Sequence, residues 1–213
     1  MFFGVKQLKQ VVKPFKTRVK EELMQCALIY KSLLMDYEYL ICSQAFKNRS
    51  YYIFYGTKDN FLHLTGVNTK LKAADFFFKC LDQTLTEDDF DFSKPNQSDK
   101  DVKGCVRKKL KVFPGIVDIL KPGVIAEEQF SKGKIFCSFA TATGTLTLGF
   151  IAPGKSRPKT LLEGNHLKNP KPVDLILRKP VNTELFEEII LGESSDLTNY
   201  LSEISSLISV SLL

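Results

Sequence analysis

The chain contains two histidines, and the first, His63, lies in the segment NFLHLTGV at residues 60–67. Imidazole is suited to proton transfer near neutral pH because its unperturbed pKa is about 6.5. Alternation of apolar and polar residues predicts an extended strand here, with Thr65 on the same face as His63. His63 is therefore a candidate acid or base, with Thr65 beside it to hydrogen-bond an oxygen of the ligand, although the pattern by itself favours a structural role. A purely structural strand histidine, bonded to a backbone carbonyl, fits the same pattern.

A second group of candidate side chains lies in the segment PGKSRPKT at residues 153–160. It carries Lys155, Ser156, Arg157 and Lys159 and no acid, directly after an apolar run. Arginine donates a forked pair of hydrogen bonds to phosphate oxygens, and lysine adds a point charge. We expect this loop to bind a phosphate group. The alternative is a solvated connection between a strand and a helix.

The second histidine, His166, lies in EGNHLKNPKP, which is rich in turn-forming residues and lysine. Such a segment predicts a mobile loop with an exposed imidazole. Exposed loop histidines are commonly incidental, so the functional interpretation of His166 is an accessory contact to the ligand.

Charge is unevenly distributed along this chain of 213 residues with a formal net charge of +6. Six basic residues and no acid lie between Lys6 and Lys20, and six more lie in KDVKGCVRKKLK at residues 100–111. The acidic segment LTEDDFDF at residues 85–92 separates them. Segregated positive charge attracts phosphates and favours a nucleic-acid partner, although charged runs are also typical of ordinary solvated surfaces.

Membrane and metal sites are not expected from the sequence. No apolar run approaches the roughly 18 residues that can span a bilayer, and the start, MFFGVKQLKQ, has lysines where a signal peptide needs an apolar stretch. The five cysteines are scattered without a C-x-x-C pair, which is typical of reduced core thiols. We expect a cytoplasmic protein without a membrane partner, metal or cofactor.

Hydrophobic periodicity predicts the elements that position these residues. A helical face runs from about Lys16 to Ala45, and an aromatic strand at 51–55 is predicted to form a hairpin with 61–67. A helix follows at 69–83, and Thr86 is expected to cap a short turn. Later segments predict strands within 135–153 and 173–179 and helices at 182–193 and 196–213, with Asn182 and Asp196 as N-caps.

These elements predict one α+β domain over residues 1–213. Its antiparallel sheet of about four to five strands is packed by N-terminal and C-terminal helices. The N-terminal helical part is placed at about 1–48, the core at about 49–191 and the C-terminal helix at about 195–213.

The order of segments resembles a known family. A leading helix, an aromatic strand before FLHLTGV, the AADFFFKCL helix, and TLTLGFIAPGKSRPKTLL followed by VDLILRK resemble phage-encoded nuclease-like domains grouped with barnase, EndoU, colicin-type RNases and RelE. The likeness is to the type found in prophages of low-GC Gram-positive bacteria, and it covers about Glu22 to Leu191. The resemblance implies a BECR-like fold and metal-independent cleavage of RNA in a bacterial host cell, as a toxin or phage–host conflict effector.

Metal-free RNA cleavage requires a base for the ribose 2′-hydroxyl, cations for the charge on phosphate and an acid for the departing 5′-oxygen. The resemblance makes His63 the acid or base and Arg157 and Lys159 the cations. The expected substrate-binding residues are Thr65, Lys155, Ser156, His166 and Tyr55. Tyr55 can stack on a base, although packing in the core is the commoner use of such a tyrosine.

Two competing functions remain open. The first is a catalytically inactive phage protein whose basic surface binds nucleic acid or a host defence complex. The second is a toxin whose C-terminal segment, DLTNYLSEISSLISVSLL, docks an antitoxin or a second copy of the chain. The apolar stripe of that segment is also consistent with packing in the core, which we favour.

Overall fold

The computed structural model describes residues 13–152 and 154–213. The first part of the N-terminal basic block and Pro153 of the predicted phosphate loop lie outside the described residues. The predicted fold class is confirmed: the chain is α+β, with antiparallel sheets of four and five strands.

The described elements follow one another in a mixed order. The helices are α1 (Phe15–Tyr30), α2 (Phe61–Thr65), α3 (Ala73–Leu81), α4 (Asp99–Val112), α5 (Ser194–Thr198) and α6 (Leu201–Ile204). The strands of the first half and centre are β1 (Tyr37–Cys42), β2 (Tyr51–Phe54), β3 (Ile125–Glu128), β4 (Ser131–Lys132), β5 (Ile135–Phe136) and β6 (Phe139–Ala142). The remaining strands are β7 (Leu146–Ile151), β8 (Arg157–Glu163), β9 (Lys171–Pro172), β10 (Leu175–Pro180) and β11 (Glu188–Leu191).

The first helix is shorter than predicted. It begins after Pro14, continues as a π-helical turn at Lys31–Met35, and gives way to β1. The prediction of a helix to Ala45 is wrong because YEYLIC forms a central strand between β10 and β2. Five of its six residues are buried, so the strand lacks the alternation that distinguishes strands from helices.

The predicted strand at 61–67 is a helix, α2. Phe61 and Leu64 are fully buried and His63 is exposed, which is the three-residue spacing of a helical face. Gly66, with φ of 84°, ends the helix in the left-handed region that glycine tolerates. The predicted hairpin is therefore wrong, and β2 pairs with β1 instead.

The four-stranded sheet has the order β11-β10-β1-β2. The strand predicted at 173–179 is confirmed as β10. The helix predicted at 182–193 is wrong: its apolar part forms β11, an edge strand paired with β10. Asn182 therefore caps no helix.

The five-stranded sheet has the order β8-β7-β6-β3-β9, and β4 and β5 form a separate small hairpin. The strands predicted within 135–153 are confirmed as β5, β6 and β7. The predicted helix at 69–83 is confirmed as α3, and Thr86 caps the 3-10 turn Glu87–Asp89. Helix α4 occupies the basic segment, with Ser98 as its N-cap, and a 3-10 helix follows at Phe113–Leu120.

The C-terminal segment is not one helix. It consists of α5, α6 and two 3-10 turns, Ser205–Leu207 and Val210–Leu212, and Glu193 rather than Asp196 is the N-cap of α5. Leu197, Ile204 and Ile208 are buried against the four-stranded sheet. These three residues therefore belong to the core, as favoured from the sequence.

An aromatic stack in the main core joins the two large sheets. Ring centroids lie 5.1 Å apart between Tyr39 and Phe54, 4.7 Å between Phe54 and Phe150, and 4.7 Å between Phe150 and Phe139. All four rings are at most 1% exposed, so the sheets are fixed relative to each other by close packing. No helix in the described part of the chain is long and apolar enough to cross a membrane.

Candidate functional site

The start of β8 lies beside the end of β2, although the two strands belong to different sheets. The Tyr55 amide donates to the Ser156 carbonyl at 3.1 Å, and the Ser156 amide donates to the Ile53 carbonyl at 2.6 Å. This parallel bridge between Phe54 and Ser156 brings Tyr55 next to the basic loop.

Three of the predicted ligand-binding residues meet at this bridge. Arg157 Nη2 donates to the Tyr55 hydroxyl at 3.1 Å, and its guanidinium carbon lies 5.5 Å from the centroid of the tyrosine ring. Lys155 Nζ lies 5.9 Å from the same centroid. Lys155 and Arg157 also line a cavity of about 330 Å³ with Ile151 and Ala152. The loop thus presents two cations beside one aromatic ring, an arrangement that suits a phosphate next to a base.

A buried carboxylate holds one of these cations. Lys155 Nζ lies 2.6 Å and 2.7 Å from the two carboxylate oxygens of Glu38, a residue that is only 3% exposed. Lys179 Nζ reaches the same carboxylate at 3.0 Å and is itself 5% exposed. Glu38 therefore fixes Lys155 in place and partly neutralises it, whereas the hydrogen-bond partner of Arg157 is a neutral phenol.

Ser156 and Thr65 are not placed to touch a ligand. Ser156 is fully buried, and its Oγ has no hydrogen-bond partner among the described residues. Thr65 is also fully buried, and its hydroxyl donates to the Leu62 carbonyl at 2.8 Å. The expectation that Thr65 shares a strand face with His63 is wrong because the segment is helical.

His63 is exposed on α2, and α2 packs against both β8 and α4. The carbonyl oxygen of His63 accepts a hydrogen bond from Lys109 Nζ at 3.0 Å. The imidazole makes no hydrogen bond within the described residues. The helix that carries His63 therefore lies beside the strand that carries Arg157 and Lys159, with the imidazole accessible to solvent.

Lys159 extends towards the β4–β5 hairpin. Its Nζ donates to the carbonyl oxygen of Phe136 at 2.8 Å, and its side chain is half-buried. The two predicted phosphate-binding cations of β8 are thus positioned by different partners, Arg157 by Tyr55 and Lys159 by the hairpin.

A basic cleft of about 620 Å³ separates α4 from the end of β8. We call it the α4–β8 cleft. Its charged lining residues are Lys100, Asp101, Arg107, Lys108, Lys109, Lys132 and Glu163. Both acids are engaged, Glu163 by Lys111 at 2.7 Å and Asp101 by Ser98 at 2.6 Å. The cleft is therefore positive, and it borders α2 through Lys109.

His166 lines this cleft rather than a free loop. Its amide donates to Thr147 Oγ1 at 2.9 Å, and its Nε2 lies 2.8 Å from the Glu163 carbonyl oxygen. Lys132 Nζ lies 3.0 Å from Nδ1 and 2.8 Å from Nε2. The expectation of a mobile, exposed histidine is wrong because these contacts tie the loop to β7 and to the hairpin and leave the ring half-buried.

Two lysines of the cleft are electrostatically unsatisfied. Burial lowers the pKa of Lys109 to about 8, and its hydrogen-bond partner is the carbonyl of His63 rather than a carboxylate. Burial, with the Lys108 ammonium nearby, also lowers the pKa of Lys132 below its usual range. An anion entering the cleft would stabilise both ammonium groups.

The sequence flagged the basic run at 100–111 but not Lys109 or Lys132 as site residues. A helical projection of that run would have grouped Asp101, Cys105 and Lys108 on one face, and this face lines the cleft. Lys132 carries no comparable signal, because only the tertiary fold brings the β4–β5 hairpin to α4.

The described residues contain no group of three or more His, Cys, Asp or Glu side chains placed to hold a metal ion. Four cysteines are buried and Cys105 is exposed, and none forms a disulfide.

One of three comparisons with known proteins gives a match. A family model described as PBECR4, phage-Barnase-EndoU-ColicinE5/D-RelE like nuclease4, matches residues 22–194. No curated protein and no solved structure matches the chain.

Proposed function

We propose that this chain, which belongs to the phage-Barnase-EndoU-ColicinE5/D-RelE like nuclease4 family, is an endoribonuclease that cleaves RNA without a metal ion. His63 is the proton-transfer group, and Arg157 and Lys159 bind the phosphate. The observation that supports this proposal is the packing of α2 against β8, because the helix that carries the exposed His63 lies next to the strand that carries both cations.

The chemistry needs little more than these groups. His63 takes the proton from a ribose 2′-hydroxyl, the oxygen bonds to phosphorus, and the bond from phosphorus to the 5′-oxygen breaks. The products are a 2′,3′-cyclic phosphate and a 5′-hydroxyl: the departing oxygen takes up a proton from solvent water, and His63 then returns its proton to the solvent. Arg157 and Lys159 stabilise the negative charge that develops on the non-bridging oxygens. Tyr55 holds the guanidinium of Arg157 in position.

A labelled single-stranded RNA incubated with the protein in EDTA tests the proposal. His63→Ala should reduce cleavage about 10²- to 10⁴-fold, the usual contribution of a general acid or base. Because the imidazole is exposed, the variant should unfold at the same denaturant concentration as the wild type. His166→Ala removes the other imidazole, which lines the α4–β8 cleft, and should reduce cleavage less than His63→Ala does. Cleavage at an undiminished rate by His63→Ala would refute the assignment, and a requirement for added divalent cation would refute metal independence.

A binding module is the second candidate function. Lys155 is held by Glu38 and Lys159 by a backbone carbonyl, so two of the loop cations already have partners within the chain. In this case the wild-type protein would retard RNA in a salt-sensitive manner without cutting it. The same module could occupy a host defence complex.

The proposed biological setting is a bacterial cytoplasm, where the enzyme would act as a toxin or a phage–host conflict effector, with or without an antitoxin. Induced expression in a bacterium measures this directly. Growth arrest by the wild type and normal growth with an equal amount of His63→Ala are expected. Equal growth arrest by both would show that RNA cleavage by His63 is not the cause.

A further inference from the structure

The β4–β5 hairpin carries an aromatic ring that is mostly exposed to solvent. Phe136 is 65% exposed, while its neighbours Ile135 and Cys137 pack into a small core beneath the hairpin. Alternation along the strand directs Phe136 to solvent. Because about two-thirds of the residue stays in water, packing accounts for little of its presence.

Lysines lie close to Phe136 along the chain and in space. Lys159 Nζ donates to the carbonyl of Phe136 at 2.8 Å. Across the hairpin, Phe136 is opposite Ser131, whereas Lys132 is opposite the inward-facing Ile135 and therefore lies on the other face of the hairpin. Lys134 lies in the turn, and the segment QFSKGKIFC at residues 129–137 contains no acid. An exposed aromatic ring flanked by lysines is the combination that single-stranded nucleic acids bind, through stacked bases and neutralised phosphates.

The hairpin also connects the two parts of the site already described. Lys132 lines the α4–β8 cleft beside His166, and Lys159 belongs to the strand that begins with Arg157. A strand of nucleic acid lying across Phe136 would therefore lie beside Lys159, on the strand that begins with Arg157.

We propose that the β4–β5 hairpin binds a single-stranded segment of the RNA substrate, with Phe136 stacked on an unpaired base and Lys159 and Lys134 on the adjacent phosphates. This inference rests on the proposed function and adds to it a preference for unpaired RNA. A base within a duplex already stacks on its neighbours and cannot offer its face to the ring.

The experiment measures binding of a fluorescent, non-cleavable 2′-O-methyl oligonucleotide to the full chain. Phe136→Leu keeps an apolar side chain but removes the stacking surface, and it should weaken binding about tenfold, or about 1.4 kcal/mol. Phe136→Trp should bind as tightly as the wild type or more tightly. The matched control is Phe78→Leu, since Phe78 is 43% exposed and lies 5.4 Å from Lys58 Nζ. Phe78→Leu should leave the affinity unchanged.

A duplex of the same sequence should bind more weakly than the single strand and should not distinguish wild type from Phe136→Leu. Equal affinity of wild type and Phe136→Leu for the single strand would overturn the inference, whether or not His63→Ala abolishes cleavage. The exposed ring would then be assigned to contact with a protein partner instead of RNA. If Phe136→Leu weakens binding but the wild type never cuts RNA, the proposed RNA binding by the β4–β5 hairpin is supported and the nuclease proposal fails.

Discussion

Glu38 offers the sharpest test of how the loop cations are held. Its carboxylate lies between Lys155 and Lys179, both within 3.0 Å. Glu38→Gln preserves the shape but removes the negative charge. Lys155 can then move into water because its side chain is 47% exposed. Lys179 cannot, because its side chain is 6% exposed, and its remaining partner is the Thr183 carbonyl.

The magnitude follows from the buried partner. Removing one member of a buried ion pair costs about 3–5 kcal/mol because the other charge stays desolvated. The Thr183 carbonyl offsets part of this penalty, so we expect Glu38→Gln to lower the free energy of unfolding by about 3 kcal/mol. Lys155→Met removes only the exposed partner and should cost less than about 1 kcal/mol.

Urea unfolding of the variants measures these values, provided that the slope of free energy against urea concentration stays constant. Glu38→Gln combined with Lys179→Met should recover much of the loss, because no unpaired charge remains buried. A loss below about 1 kcal/mol in Glu38→Gln would refute the argument. A double variant as unstable as the sum of its parts would show that the two charges do not interact.

Two further predictions concern the α4–β8 cleft. Burial lowers the pKa of Lys109 to about 8 from its ordinary 10.5, so as the pH rises Lys109 loses its proton in the native protein before it does in the unfolded chain. The free energy of unfolding of the wild type, measured relative to that of Lys109→Met, should therefore rise between about pH 8 and 10.5. A flat difference over that range would contradict the shift. Cys105 is the exposed cysteine and lines the cleft, so iodoacetamide should label it first and a non-cleavable RNA should slow the reaction. Burial raises the pKa of Cys26, Cys42 and Cys80, so faster labelling of any of these would contradict their burial. A labelling rate of Cys105 that RNA does not change would count against the cleft as a binding site.

The fold class and many of the strands could be predicted from the sequence because turn residues and the alternation of apolar and polar residues are local signals. It failed at YEYLIC and FLHLT for two different physical reasons. The first is a central strand whose residues are buried on both faces, so it shows no alternation of apolar and polar residues that would distinguish it from a helix. The second is a five-residue helix, too short for a helical period to outweigh an apparent alternation.

The site residues could be named individually but not assembled. Arg157 and Tyr55 were both predicted to bind the ligand, yet they lie 102 residues apart in sequence, and no local pattern predicts their hydrogen bond. The ion pair between Glu38 and Lys155 could not be predicted for the same reason, because the two residues lie 117 positions apart in sequence. Thr65 and Ser156 failed as ligand contacts because burial depends on tertiary packing, which residue type alone does not determine.

The positions of His63, the proposed base, and of Arg157, a proposed phosphate-binding cation, depend on different parts of the fold. Arg157 is placed by the pairing of β8 with β7 and by the bridge between Phe54 and Ser156, which depends on the aromatic packing of Phe54 between the two sheets. His63 is placed by α2, which ends at Gly66, where an added Cβ would lie 2.9 Å from Lys109 Cδ. Because the proposed catalysis requires the two groups within one hydrogen-bonded pose, the geometry of the proposed reaction depends on the packing of α2 against β8. The contacts of this helix with β8 and α4 therefore matter to the proposed chemistry as much as the imidazole itself.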